Sequence, residues 1–156
     1  MQTRLDLVQA NPAAYRAIMQ LERYVRSSGV DSTILELIKI RVSQINGCAF
    51  CIDMHTKDAR LNGETEQRIY ALSAWHETPF FTAQERAILA LTEAVTLIAS
   101  SPVSDAIYAD VNRYFAPNEI IDLLMAIVTI NSWNRIAITA QTLPGSYEPK
   151  PVEAAV

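Results

Sequence analysis

Two cysteines and a histidine lie close together and form the part of this sequence most able to do chemistry. Cys48 and Cys51 make a C-x-x-C pair, they are the two cysteines of the chain, and His55 follows Cys51 by four residues. This spacing is more typical of a redox dithiol or of metal ligands than of a structural disulfide. A disulfide that closes so short a loop restricts the unfolded chain very little and adds little stability. The pair therefore indicates chemistry.

The two sulfurs are predicted to lie at the beginning of a helix. Gly47 ends the preceding helical pattern, and a new pattern runs from about Cys48 to Leu61. At a helix N-terminus, free N–H groups and the helix dipole stabilise a thiolate, the reactive form of cysteine. Residues three and four apart share a helix face, so Cys48 and Cys51 can form a disulfide and His55 lies one turn further on. An imidazole there can take up or return a proton.

Glu36 is the remaining candidate for this site. It lies on the preceding helix, beside an apolar stripe made of Ile34, Ile38, Val42 and Ile45. If the two helices fold back as a hairpin, Glu36 reaches His55, where a carboxylate fixes the tautomer of an imidazole and supports its charged form. Taken alone, Glu36 fits equally well a solvated helix residue or the last member of a capping box that begins at Thr33.

The rest of the chain is predicted to be helical, which makes the fold class all-α with one compact multi-helix domain. There are only four glycines, and no segment alternates as a strand between hairpin turns. Helices are predicted at about residues 12–28, 32–46, 48–61, 64–75, 83–98, 105–114 and 117–142. The last of these is apolar nearly all round in its middle, so we expect it to be the central buried helix. The predicted domain covers residues 1–143, and residues 144–156 are predicted to form a flexible C-terminal tail.

Composition limits the classes of partner and cofactor. The net charge is −4, and the basic residues are scattered arginines, which excludes the basic patch expected for nucleic acid or an anionic membrane. Residues 1–6 lack the apolar region of a secretory signal, and the longest apolar run is too short to span a bilayer. We expect a reducing cytoplasm, where a dithiol can cycle, and no cofactor, since no glycine-rich phosphate loop occurs.

The spacing of the four candidate residues resembles a known signature. Glu36, eleven further residues, Cys48-x-x-Cys51 and then x-x-x-His55 are similar to the active site of the AhpD-like alkylhydroperoxidases, in the carboxymuconolactone decarboxylase superfamily. Weaker similarity extends downstream to Trp75, Phe81-Thr82, Glu85-Arg86, Glu93 and Asn134-Arg135. The resemblance implies an all-helical subunit that assembles as a homotrimer or hexamer and reduces peroxides through its cysteine pair.

The resemblance also implies a role for each residue. Cys51 would be the peroxidatic thiolate and Cys48 the resolving cysteine, while His55 and Glu36 would form the proton relay. The partners would be a peroxide substrate and an external dithiol reductant. One position departs from the pattern, because the best-studied site of the family has a histidine just before the second cysteine, where this chain has Phe50. That departure leaves the rate, the preferred peroxide and the reductant open.

Three other functions remain open at this point. A general dithiol–disulfide oxidoreductase would use the same pair on a protein or a small disulfide. A non-redox module would bind metal through Cys48, Cys51 and His55, with Asp53 or His76 as the fourth ligand, although structural zinc sites usually draw a second ligand pair from a distant segment. A decarboxylase-like enzyme of the same superfamily would depend on acid–base groups and would keep its activity without the thiols.

Overall fold

The computed structural model describes residues 2–149, and over that range the chain is all-α, as predicted. The helices are α1 (Leu7–Ala10), α2 (Pro12–Ser27), α3 (Ser32–Asn46), α4 (Ala49–Leu61), α5 (Glu66–Ala71), α6 (Ala83–Thr96), α7 (Asp105–Val111) and α8 (Pro117–Ala140). A 3₁₀ helix, Leu72–Glu77, joins α5 to α6. The single turn α1, which Asp6 caps, is the one helix that the sequence pattern did not predict.

Capping side chains explain why the helix starts could be predicted. The side chain of Asn11 accepts a hydrogen bond from the N–H of Ala14, and Pro12 takes the first position of α2. At α6, Thr82 and Glu85 form a capping box in which each side chain accepts from the backbone N–H of the other. Both capping signals involve residues close in sequence, so they define the helix starts independently of tertiary packing.

The central helix of the domain is α3. It packs against α4, α6 and α8, and residues 35–43 are all buried except Arg41. The expectation that α8 would be the central helix is wrong, because α8 leaves Ile121, Val128 and Ile138 exposed. Its apolar residues run round more of the helix than its neighbours cover within one subunit.

By length and composition, α8 is the one helix in the described part of the chain that could cross a membrane. It packs, however, against α2, α3, α4 and α6, and it buries Asn134 completely. The Asn134 amide donates to Ser43, and the Asn46 amide donates to the side-chain oxygens of Asn131 and Asn134. Buried polar groups with partners of this kind are typical of a core helix, and here they attach α8 to the end of α3.

The segment after α8 turns back onto α4. The N–H of Gly145 donates to the carboxylate of Asp53, and the hydroxyl of Tyr147 donates to that of Asp58 at 2.7 Å. Residues 150–156, the second half of the predicted flexible tail, lie outside the described residues. The division of the chain into a domain and a flexible tail therefore stays a prediction.

One glycine makes the turn between α3 and α4. Gly47 has a φ of 72° and a ψ of 33°, in the left-handed region, and it ends α3. The next residue, Cys48, donates its N–H to the carbonyl of Ser43 at 2.9 Å and caps α4. The two helices consequently pack against each other as a hairpin, the arrangement that the sequence permitted.

We expect Gly47→Ala to lower the free energy of unfolding by about 1–2 kcal/mol, because a residue with a Cβ is disfavoured in the left-handed region. Beyond the adjacent residues, no heavy atom lies within 4 Å of the position that the Cβ would take, so the cost is conformational and not steric. Urea unfolding followed by circular dichroism measures the loss. Gly47→Asn should lose less, since asparagine enters this region more readily; equal losses in the two variants would contradict the prediction.

Candidate active site

Cys48 and Cys51 are joined by a disulfide at the start of α4. Cys48 is the N-cap residue and Cys51 lies in the first turn, with their Cα atoms 5.4 Å apart. The backbone N–H of Cys51 donates to the sulfur of Cys48 at 3.3 Å. Both residues are buried, with exposed fractions of 1% and 2%. The predicted position of the pair at a helix N-terminus is therefore confirmed.

The helical hairpin brings Glu36 to His55. Nδ1 of His55 lies 2.9 Å from Oε2 of Glu36, and both side chains are buried. His55 also follows Cys51 by four residues, which is about one turn of α4. The structure thus places all four predicted residues in one site. Their catalytic roles stay a prediction.

The carboxylate of Glu36 is held in its ionised form. Burial raises its pKa, but the hydrogen bond and the electrostatic attraction of His55, together with the positive charge of Lys39, outweigh burial, and the pKa of Glu36 falls below its usual value. An ionised carboxylate can only accept, so Nδ1 of His55 carries the proton that it donates. In a neutral imidazole this leaves Nε2 as the nitrogen that can accept a proton.

Lys39 and Glu22 also belong to this site, and sequence analysis missed both. The ammonium of Lys39 lies 3.2 Å from Oε1 of Glu36 and 3.5 Å from Oε1 of Glu22, and both Lys39 and Glu22 are buried. Arg26, which is largely exposed, reaches the same Glu22 oxygen at 2.9 Å. Burial raises the pKa of Glu22, while Lys39 and Arg26 lower it to below the usual value. A lysine within a buried apolar helix was the available signal for Lys39.

A cleft of about 260 Å³ opens beside the disulfide. Cys51 and His55 line it, and so do Glu22 and Arg26. The rest of the wall is apolar or aromatic and consists of Tyr15, Met19, Phe50, Met54, Ile130, Trp133 and Ala137. Within the described residues, Cys48 does not contribute to this wall, so Cys51 is the sulfur that a molecule in the cleft would meet. Phe50, at the position that departs from the family signature, extends the apolar surface.

The two further metal ligands considered from the sequence are engaged elsewhere. Asp53 accepts hydrogen bonds from Lys57 and Gly145, and His76 stacks on Trp75 with 3.5 Å between the ring centroids. In the described part of the chain, potential ligand atoms within 4.8 Å of one another belong to Glu36, His55 and Asp58. Neither cysteine belongs to that group, and both sulfurs are joined in the disulfide.

Several known proteins are similar to this chain. Residues 12–94 match the model of the carboxymuconolactone decarboxylase family. The uncharacterized protein YdfG of Bacillus subtilis is 49% identical over 138 residues, which cover 88% of this chain and 94% of that protein. A crystal structure from Agrobacterium tumefaciens is 43% identical with a TM-score of 0.91, covering 94% of this chain and 100% of that one. It is a protein of unknown function for which a role as the antioxidant defence protein AhpD has been suggested. An alkyl hydroperoxide reductase AhpD of Bradyrhizobium diazoefficiens is 32% identical over 80 residues, 51% of this chain and 38% of that protein.

The buried carboxylate predicts an acid-sensitive stability. Because the pKa of Glu36 is lower in the folded protein than its usual value of 4.5, its ionisation stabilises the fold above that value. This contribution is lost as the pH falls through the pKa of the folded state. We therefore expect oxidised wild type to lose more free energy of unfolding than Glu36→Gln between about pH 6 and about pH 3.

Urea unfolding at a series of pH values measures this difference. The exposed Glu77 offers a control, since Glu77→Gln should follow the wild-type pH dependence. If Glu36→Gln and wild type lost stability in parallel over the whole range, Glu36 would not be an ionised, paired carboxylate in the fold.

Proposed function

This chain belongs to the carboxymuconolactone decarboxylase family, and we propose that it is a thiol-dependent peroxidase of the AhpD type that reduces organic hydroperoxides. One observation carries the proposal: Cys51 and His55 line the same apolar cleft, and Glu36 holds His55 from behind. A sulfur at a helix N-terminus with a base beside it is an arrangement that generates a thiolate. The match to an AhpD reductase and the similarity to a suggested antioxidant defence protein support the same activity.

The reaction begins in the reduced protein, where the thiol of Cys51 gives its proton to Nε2 of His55. The thiolate attacks the terminal oxygen of the hydroperoxide, so that an S–O bond forms while the O–O bond breaks. His55 returns the proton to the departing alkoxide, which leaves as an alcohol, and Cys51 becomes a sulfenic acid. Throughout these steps Glu36 stays ionised and keeps Nδ1 of His55 protonated.

Cys48 completes the cycle as the resolving cysteine. Its thiol attacks the sulfenic sulfur of Cys51, the S–S bond forms, and water leaves. The product is the Cys48–Cys51 disulfide, for which the Cα spacing at the helix start is suitable. An external dithiol then supplies two electrons and two protons, which regenerate both thiols while that dithiol becomes a disulfide.

Burial of the sulfurs favours a small oxidant over a protein disulfide. The exposed fractions of Cys48 and Cys51 are 1% and 2%, so a folded protein partner could not reach either sulfur without opening the site. The cleft of about 260 Å³ admits an organic hydroperoxide, and its wall is largely apolar. For this reason we rank a general dithiol–disulfide oxidoreductase second. A decarboxylase-like activity is the alternative if the thiols prove dispensable.

The cleft and the exposed apolar residues indicate which partners the protein has. The reductant is an external dithiol narrow enough to enter the cleft that contains Cys51. We also propose a homo-oligomer, because Ile98, Ile121 and Val128 are about half exposed and would be covered in an assembly. The resemblance to the AhpD-like alkylhydroperoxidases implies that this assembly is a trimer or a hexamer. The setting is a reducing cytoplasm, where the dithiol can be regenerated.

The cysteine roles predict different outcomes for two variants. One equivalent of an alkyl hydroperoxide should remove both free thiols of reduced wild type and lower its mass by about two hydrogens. Cys48→Ser should stop after one turnover with a sulfenic acid at Cys51 that dimedone traps, because no resolving thiol remains. Cys51→Ser should not react. Intact-mass spectrometry with thiol alkylation measures all three, and peroxide consumption by Cys51→Ser at the wild-type rate would overturn the peroxidase proposal.

The base role of His55 predicts a slow first turnover in its variant. His55→Gln should reduce the single-turnover rate with an alkyl hydroperoxide by about 10²–10⁴-fold, the usual contribution of a positioned general base. Stopped-flow measurement on pre-reduced protein gives this rate without interference from the reductant. His76→Gln is the matched control, since His76 is exposed and stacks on Trp75 outside the cleft. An unchanged rate in His55→Gln would remove His55 from the mechanism.

A further inference from the structure

Lys39 is a buried cation held between two buried carboxylates. Its ammonium pairs with Oε1 of Glu36 at 3.2 Å and with Oε1 of Glu22 at 3.5 Å. Glu36 belongs to α3 together with Lys39, whereas Glu22 comes from α2. Only 5% of the Lys39 side chain is exposed, so water contributes little to its solvation. The proposed mechanism assigns a task to Glu36 and leaves this lysine without one.

The two oxygens of Glu36 have different partners. Lys39 lies at Oε1, while Oε2 accepts from Nδ1 of His55. This division orients the carboxylate, because one oxygen is fixed by the ammonium and the other is thereby directed at the imidazole. The position of Lys39 is fixed in turn by its ion pair with Oε1 of Glu22. The same oxygen also accepts a hydrogen bond from Arg26.

Loss of the ammonium would change the protonation of the site. Glu36 and Glu22 would then be buried carboxylates without their shared cation, and buried like charges favour the uptake of a proton. If Glu36 took the proton, it would donate to Nδ1 of His55 and move the imidazole proton to Nε2. If His55 took the proton, it would become an imidazolium. In both cases Nε2 of His55 could no longer accept the proton of Cys51.

We propose that Lys39, anchored by Glu22, is a positioning residue that keeps His55 neutral with its proton on Nδ1 and its Nε2 free. The catalytic part of this inference rests on the proposed peroxidase function. The protonation part concerns the folded protein itself and can be tested without any peroxide.

The other titratable groups around His55 do not replace Lys39. They are Glu22 and Arg26 from α2, Glu36 from α3, Asp58 and Cys51 from α4, and Tyr147 from the segment after α8. Arg26 pairs with Glu22, and burial together with the hydrogen bond to Asp58 raises the pKa of Tyr147 to about 12. Within the described residues, Lys39 is the only lysine or arginine paired with Glu36.

Nitrogen NMR of the imidazole rings tests the inference directly. The chain has two histidines, so a ¹⁵N-histidine-labelled sample gives signals from His55 and from the exposed His76, which serves as an internal reference. In the oxidised protein neither sulfur titrates, which leaves the imidazole shifts free of coupling to a thiol. Near neutral pH we expect the Nδ1–H tautomer for His55 in wild type. Lys39→Met should give the Nε2–H tautomer or the imidazolium, and Lys39→Arg should retain the wild-type signals.

A second variant keeps the test decisive if Lys39→Met does not fold. The double variant Lys39→Met with Glu22→Gln removes one buried charge of each sign and leaves Glu36 without its cation, so it should fold and show the same change at His55. Wild-type His55 signals in a folded Lys39→Met protein, with or without Glu22→Gln, would overturn the proposal.

The rate of peroxide reduction provides a separate readout. Lys39→Met should lower the single-turnover rate at neutral pH by about tenfold or more, because the fraction of His55 able to accept a proton falls. A wild-type protein that does not reduce peroxide at all would defeat the proposed function, while the NMR result would still decide the role of Lys39. An active wild type with unchanged His55 signals in Lys39→Met would defeat this inference alone.

Discussion

The fold depends on the burial of one carboxylate at its centre. Glu36 lies on α3, the helix that α4, α6 and α8 surround, and an ionised carboxylate in such a place is strongly destabilising unless it is paired. His55 on α4 and Lys39 on α3 supply the pairing, and Lys39 requires Glu22 on α2 in its turn. Apolar packing is non-directional and tolerates shifts between helices. The connected ion pairs do not tolerate such shifts, so they specify how α2, α3 and α4 are positioned relative to one another.

The helical hairpin divides the site into a local part and a part that tertiary packing must assemble. The local part lies on α4, which supplies both sulfurs, the free N–H groups of a helix start and the imidazole one turn later. The tertiary part is the carboxylate of Glu36, which reaches His55 only because Gly47 turns the chain within a few residues. A thiolate could form on an isolated α4 through the helix terminus alone. The ordered imidazole that returns a proton needs the hairpin.

This division explains how much of the molecule the sequence could predict. The cysteines, His55 and the helix starts follow from helical spacing and capping chemistry, which are local, and the structure has them where they were expected. The contact between Glu36 and His55 stayed conditional in the sequence, because the glycine turn at Gly47 permits a helical hairpin without requiring one. Glu22 could not be predicted, since with Arg26 it reads as an exposed i, i+4 pair. Its burial depends on how α2 packs on α8 and so brings Glu22 to Lys39.

The wrong assignment of α8 as the central helix has a related cause. A helix that is hydrophobic on every side is predicted to be buried on every side. The pattern does not say whether residues of the same subunit or of another subunit bury it. In this subunit Ile121 and Val128 on α8 remain exposed, while α3, with Glu36 and Lys39 in its buried middle, is the helix that other helices surround. Charged residues usually indicate an exposed helix, so Glu36 and Lys39 hid the burial of α3 from the sequence pattern.

The charges of the site explain how a buried dithiol could be activated without a net charge entering the core. Glu22 and Glu36 are paired with Lys39 and Arg26, so these four charges cancel one another beside the dithiol. When Cys51 passes its proton to His55, the thiolate and the imidazolium appear together, and the total charge of the site does not change. Creating an adjacent pair in a poorly solvated cleft is much less costly than creating an isolated anion there. The sulfurs can therefore stay buried, and their burial restricts them to oxidants and reductants small enough for the cleft.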